Sequence, residues 1–283
     1  MRPIAGWADD LQVVIKHIEA MGITFNRGRI RAYMDVFQQA ERNDPALSRG
    51  LLYAAVSEVY DLVACTKMSA AELKPVRHRL KKICAGDNVL TAANEHDPGR
   101  DLCFEIVTAA MYRGNGLTSE LGKPSDVLVR LGGQQVLIEC KRPTTLNAIG
   151  RNLKKGFGQM SVHRRAGRGG IGVVALDLSV LVNPTAAPIG AFGSDAAVDN
   201  LYERIKFTIT DAQPQIKRAT CYLRSDARVH AILMRAKCLS QDENGSMRVV
   251  QVWQVHPVYP IGSPEINTFY ALCSRLPAFM PGL

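Results

Sequence analysis

Residues Pro124 to Pro143 read PSDVLVRLGGQQVLIECKRP. Two alternating apolar runs, DVLVRL and QQVLIECK, flank Gly132-Gly133. A Gly-Gly link between such runs is a hairpin signal, because glycine tolerates the positive φ that tight hairpin turns need. With Gly132 and Gly133 as the turn, Leu131 pairs with Gln134, Leu128 with Leu137 and Asp126 with Glu139. Directly opposed residues share one face of a sheet, and Lys141 joins that face two residues further on. The spacing therefore brings Asp126, Glu139 and Lys141 together.

Two carboxylates opposed on a sheet repel unless positive charge sits between them. A divalent cation meets that need. Hard cations such as Mg²⁺ or Mn²⁺ take carboxylate and carbonyl oxygens and keep waters for a phosphate substrate. Lys141 is then suited to orient an attacking water or to stabilise charge developing on a phosphate. The alternative is a surface hairpin whose Glu139 and Lys141 form an ordinary solvated ion pair. Val127, Val129, Val136 and Ile138 on one face, with Leu128 and Leu137 on the other, argue for burial on both faces. A buried charge needs a partner or a metal.

The same residues resemble the PD-(D/E)XK nuclease superfamily, whose core motif is an acidic residue at the start of one strand and Glu-x-Lys on the next. Here these are Asp126 and Glu139-Cys140-Lys141, and the Pro-Asp pair appears as Pro124-Ser125-Asp126 with one residue inserted. The resemblance implies a restriction-endonuclease-like α/β core, a mixed central sheet flanked by helices. It also implies a metal held by Asp126, Glu139 and the Cys140 carbonyl. Upstream, RDLCFEIVTAAMY (Arg100 to Tyr112) has helical apolar spacing, with Glu105 inside the apolar stripe. A helical Glu before the first core strand completes the metal shell in that superfamily, which makes Glu105 a further metal and catalytic candidate. The other reading is a boundary carboxylate on an amphipathic helix. Asp101 is the more exposed acid there and favours the helix dipole.

Downstream, residues 140 to 176 hold eight basic and no acidic side chains, whereas residues 1 to 97 hold thirteen basic and twelve acidic ones. Most of the formal net charge of +9 thus follows the Glu-x-Lys motif. Concentrated positive charge is the footprint of phosphate-backbone binding, although such a run can be only a solvated face. Arg142, Arg151, Lys154, Lys155, Arg164 and Arg165 are the candidate nucleic-acid contacts. Thr145 can cap a helix running to about His163, with Asn152, Gly156 and Gln159 on one face. The resemblance gives Gln159 a supporting role in the site. His163 reads as a backbone contact rather than a base. Gly156 and Gly158 serve either close approach of a phosphate backbone or helix packing. Gly167, Gly169 and Gly170 then link to IGVVALDLSV, a buried strand. Helix, strand, hairpin strand, helix and strand follow one another as in the αβββαβ core of the superfamily, with the first core strand indistinct in the sequence.

Residues 1–97 read as a helical N-terminal domain and residues 98–283 as the nuclease-like domain. The expected N-terminal helices are Ala8 to Met21, Asn26 to Glu41, Ser48 to Thr66 and Ala70 to Ala85. Gly86-Asp87-Asn88 is a stop signal and Asn94 to Gly99 a linker. This half shows no site of its own. It suits a lid packed on the core, a homo-oligomer contact or a protein partner. Asn183 to Ala197 reads as a loop and Val198 to Thr210 as a helix. Val229 to Lys237 and Met247 to His256 read as strands joined through QDENGS, and the C-terminal stretch with Phe269, Tyr270 and Phe279 as surface packing.

No run of 18 apolar residues suggests a membrane span, and MRPIAGWADDLQ lacks the apolar segment of a signal peptide. Seven cysteines without a CxxC pair point to reduced, mostly buried thiols in a cytoplasmic compartment, with no tight group for an iron–sulfur cluster. The expectation is a magnesium-dependent phosphodiesterase acting on nucleic acid, DNA before RNA. A role in prokaryotic defence, restriction or repair comes from the resemblance alone. The alternative is a nucleic-acid-binding module that keeps the fold without efficient cleavage. A purely structural partner protein leaves the acidic cluster unexplained.

Overall fold

The computed structural model describes residues 3–24, 28–85, 97–122, 125–131, 133–166, 170–189, 194–221, 229–241, 246–258, 264–274 and 279–280. The N-terminal region is helical: α1 (Ile4–Ala20), α2 (Arg29–Glu41), α3 (Arg49–Val63), α4 (Ala70–Leu73) and α5 (Arg77–Ala85). Next come α6 (Pro98–Gly114), β1 (Thr118–Leu121), β2 (Val127–Leu131), β3 (Gln134–Lys141), α7 (Leu146–Arg165) and β4 (Ile171–Asp177). The chain closes with α8 (Ser179–Val182), α9 (Ser194–Cys221), β5 (Val229–Gln241), β6 (Met247–Pro257), α10 (Pro264–Cys273) and β7 (Phe279–Met280). The sequence therefore runs αβββαβ from α6 to β4, and β1 is the first strand that its residues left indistinct.

The described strands form one mixed sheet in chain order, β1 to β7. β1, β2 and β3 are antiparallel neighbours, β3, β4 and β5 are parallel, β5 and β6 antiparallel, and β6 and β7 parallel. The hairpin has the register read from its turn: Leu131 opposes Gln134, Leu128 opposes Leu137 and Val127 opposes Ile138. Gly133 has φ +83°, the conformation for which glycine was expected; Gly132 lies outside the described residues.

Both faces of the sheet are covered. Val127, Val129, Val136 and Ile138 belong to a core shared with α1, α2, α3, α5, α6 and α10. Leu128 and Leu137 belong to a second core with α7, α8 and α9. The first core is continuous from Trp7 to Cys273, so the N-terminal helices and the sheet bury one another directly. α6 lies between them and is buried along most of its length, from Leu102 to Tyr112. Charged side chains close the same junction. Arg235 donates to Asp61 at 2.5 Å, and Lys237 Nζ donates to Asp61 Oδ2 and to the Ser57 carbonyl, each at 2.6 Å. Arg100 and Arg29 pair with Glu58 and Asp97, and Asp97 also caps α6 by accepting from the Gly99 and Arg100 amides.

Four expectations change. The helix read over Ala70 to Ala85 is interrupted by a 3₁₀ turn, Lys74–Val76, because Pro75 cannot continue the hydrogen-bond ladder. Conversely, α9 begins at Ser194, within the stretch read as a loop, and runs through Pro214 to Cys221. Burial of Leu201, Ile205, Ala212, Ile216 and Ala219 against the second core outweighs the bond lost at the proline. Phe269 is not surface packing but fully buried in the first core. Arg142, a candidate nucleic-acid contact, is instead largely buried, its guanidinium 3.5 Å from Asp177 and 4.0 Å from Asp101. The turns at Gly86-Asp87-Asn88, at Gly167 and Gly169 and in most of QDENGS fall outside the described residues, as does residues 94–96 of the expected linker. All seven cysteines are unpaired, and six are buried.

Candidate active site

The hairpin register positions the centre. Asp126 stands one residue before β2, and its Oδ2 accepts the Cys140 amide at 2.9 Å. That bond draws its carboxylate across to the end of β3. Lys141 Nζ then donates to Asp126 Oδ2 at 3.3 Å, to Glu139 Oε2 at 3.1 Å and to the Cys140 carbonyl at 2.9 Å. Two carboxylates and a carbonyl thus converge on one cationic point, and the ammonium neutralises the repulsion that the opposed acids create. Glu139 is buried, its side chain 2% exposed. Burial, followed by the neighbouring Asp126 charge, holds its pKa above the usual carboxylate range. Burial opposes the charge on Lys141, but Asp126 and Glu139 outweigh it and hold the ammonium pKa above its usual value.

α7 supplies the second wall. Thr145 Oγ1 accepts the Ala148 amide at 3.2 Å and starts the helix, as its sequence suggests. Ile149, Leu153, Phe157 and Met160 face the second core. Gly156 packs on β4, where an added Cβ would lie 2.9 Å from a Val174 methyl. This close approach settles its role as packing, whereas an added Cβ on Gly158 meets nothing within 4 Å. Gln159 and His163, four residues apart, flank the centre. His163 Nε2 lies 3.0 Å from Glu139 Oε1, a contact with the site itself. Gln159 Oε1 and His163 Nδ1 are buried without a hydrogen-bond partner among the described residues. Arg151, Lys154, Lys155 and Arg165 lie on the exposed side of the same helix, while the Arg164 side chain is outside the described set.

Glu105 enters from α6. It is not directed at the Lys141 cluster alone: Arg79 of α5 clasps both its carboxylate oxygens, Nη1 donating to Oε2 at 2.8 Å and Nη2 pairing with Oε1. Burial raises the Glu105 pKa to about 7 against the pull of Arg79, and the Asp126 charge adds to the rise. Arg79 is the residue that the sequence did not offer. It belongs to the half read as having no site, and nothing in the spacing of α5 singles it out. Gln159, by contrast, is singled out on α7 in the sequence, and His163 follows it at the i,i+4 spacing that shares a helix face.

Arg79, Asp126, Glu139, Gln159 and His163 open on a cleft of about 980 Å3. Its lining includes His78 and Arg79 from α5, Arg113 from α6, Ser119 and Glu120 from β1, and Asp126, Glu139, Gln159 and His163. Among the described residues no group of three or more His, Cys, Asp or Glu side chains is arranged to hold a metal ion. The convergent donors are two side-chain carboxylates and one main-chain carbonyl, an all-oxygen set of the kind hard divalent cations take. Glu105 is engaged by Arg79 through both of its oxygens. No described helix is long and apolar enough to cross a membrane. Comparison of the chain with protein-family models, curated proteins and solved structures finds no match.

Proposed function

We propose that this protein is a metal-dependent nuclease of the PD-(D/E)XK type, with a restriction-endonuclease-like core, hydrolysing phosphodiester bonds in nucleic acid. The observation that carries the reading is the convergence of Asp126 Oδ2, Glu139 Oε2 and the Cys140 carbonyl on one cationic position, within 3.3 Å of Lys141 Nζ, beside an open cleft. Those three oxygens would hold Mg²⁺ or Mn²⁺. When bound, such an ion supplies Lewis-acid polarisation of a phosphoryl oxygen and acidifies a coordinated water.

The chain's own groups do the rest. Asp126 and Glu139 supply negative charge, and His163 steadies the second oxygen of Glu139. Lys141, released from the carboxylates, orients the attacking water or donates to the oxygen that gains charge. Gln159, with a buried acceptor lacking a partner, offers an amide at the cleft wall to water or substrate. The exposed Arg151, Lys154, Lys155 and Arg165 continue from that wall along α7 as a track for a phosphate backbone. That track also suits a binding module without cleavage, so the decisive measurement is chemistry. Purified protein is incubated with Mg²⁺ or Mn²⁺ and linear, circular or single-stranded DNA, or RNA. Cleavage should require the metal and vanish in Asp126→Ala. Lys141→Ala should hold nucleic acid within a few-fold of the wild type while turnover falls by on the order of 10² or more, the scale of one lost transition-state stabiliser. Normal cleavage by Lys141→Ala would sink the mechanism.

A further inference from the structure

Arg79 lines the cleft and is about a third exposed, although it comes from the helical region and not from the strands that carry the centre. Its guanidinium is engaged with the buried Glu105 carboxylate through both terminal nitrogens, Nη1 and Nη2. The planar five-donor fork of arginine matches a carboxylate and a phosphate equally well. Glu105 in turn is a carboxylate that could serve a divalent cation or an arginine. We propose that Arg79 is a phosphate-binding residue of the cleft held in reserve by Glu105, paired with the carboxylate when the cleft is empty and passed to a substrate phosphate when a divalent cation draws the carboxylate away. The inference rests on the nuclease reading, and it specifies how that site couples metal loading to substrate grip.

The geometry carries this for three reasons. Arg79 lines the same cleft as Asp126 and Glu139, and its partner Glu105 lies near enough to Asp126 and Lys141 to feel both charges, so a cation and a phosphate meeting there share the cleft with this pair. The exchange conserves paired charge: one arginine–carboxylate contact is replaced by a cation–carboxylate and an arginine–phosphate contact, and no buried charge is left alone. Finally, the other described arginine lining this cleft, Arg113, pairs with Glu72, which belongs to α4 and not to the centre, so its release is not linked to metal.

The test is fluorescence-anisotropy binding of a labelled DNA oligonucleotide, in EDTA and in Ca²⁺ as a non-cleaving ion, by the full chain and its variants. The wild type should bind about tenfold more tightly in Ca²⁺, the scale of one charge-assisted contact. Arg79→Ala should lose most of that increment, and Arg79→Lys should keep part of it, since it retains charge without the fork. Glu105→Gln should bind in EDTA nearly as tightly as the wild type does in Ca²⁺, because its arginine is already released. This gain should disappear in Arg79→Ala/Glu105→Gln. A gain that survives in the double variant would reflect only a less negative cleft and would overturn the proposal, as would a full Ca²⁺ increment in Arg79→Ala. Thermal melts identify variants that fail to fold, and Arg79→Lys, alone or with Glu105→Gln, replaces Arg79→Ala where the alanine variant does not fold. If the wild type binds neither this DNA nor a labelled RNA oligonucleotide under either condition, the nuclease reading itself fails; if it binds and the cycle shows no coupling, only the Arg79 exchange fails.

Discussion

At the scale of single residues, charge in this protein is placed where it must be matched. Asp61 is buried at the junction of α3 and β5, and its two cationic partners are Arg235 and Lys237. Burial alone would raise its pKa, but the Arg235 charge and then Lys237 overcome that and lower it to about 2. A carboxyl depressed on folding stabilises above its unfolded pKa and loses that contribution as pH falls through the folded one. The window is therefore about pH 4 down to about 2, and the contribution is about 2 kcal/mol. Acid denaturation of the wild type should steepen there, and Asp61→Asn should flatten that limb in chemical-denaturation curves taken across the window. Asp61→Ala leaves a fully buried Arg235 without its main partner and should lower stability at neutral pH by about 3–5 kcal/mol. A loss under 1 kcal/mol would show that Gln251 and Asp177, which also approach Arg235, suffice.

At the scale of elements, α7 joins packing to the site, and its two glycines separate those functions. Gly156 faces β4, where an added methyl would lie 2.9 Å from Val174 Cγ2 and 3.0 Å from Cγ1. Gly156→Ala should cost about 1–3 kcal/mol through overpacking. It should also disturb catalysis, since lifting the helix moves Gln159 and His163, one and two turns later. Gly158 is exposed with open space around it, so Gly158→Ala should stabilise by up to about 1 kcal/mol through helix propensity. Thermal melts of the pair should therefore move in opposite directions. If a phosphate backbone lies close over Gly158, the stabilised variant should bind nucleic acid more weakly, a result that binding isotherms read separately. The hairpin shows local coding at this scale: turn glycines and a period of two specify the register from Val127–Ile138 to Leu131–Gln134.

At the scale of the molecule, basic residues that are neighbours in sequence divide into two populations. Arg151, Lys154, Lys155 and Arg165 share the exposed side of α7. Replacing them together with Ala should weaken nucleic-acid binding and flatten its dependence on salt, by about 0.9 in log–log slope for each lost phosphate contact on duplex DNA. An unchanged slope would place the substrate elsewhere on the protein. Arg142, although next to the Glu-x-Lys motif, pairs with Asp177 at the end of β4. Arg142→Ala should accordingly lower the melting temperature, by about 2 kcal/mol in stability terms, and leave the salt slope intact. The boundary read near residue 97 falls between two helices, α5 and α6, and the core crosses it without a break. The N-terminal helices serve as a wall of the cleft as well as cover for the sheet, and Glu72, His78 and Arg79 are among the side chains they contribute to it.

The sequence by itself determined the hairpin, its register and the two-sided burial of its strands, because turn chemistry and alternation act over a few residues. It also determined the start of α7 at Thr145 and the meeting of Asp126, Glu139 and Lys141, which follows from counting outward from Gly132-Gly133. Only the tertiary structure decided which charges meet across distance. Arg79 and Glu105 are 26 positions apart, His163 and Glu139 are 24, and Arg235 and Asp61 are 174. No periodicity encodes such pairs: which partner a charge finds depends on how whole helices dock, and docking is set by apolar surface rather than by the charges themselves. The same physics carried α9 through Pro214 and drew Phe269 inward, since burial against a large core outweighs a local preference of a few kcal/mol.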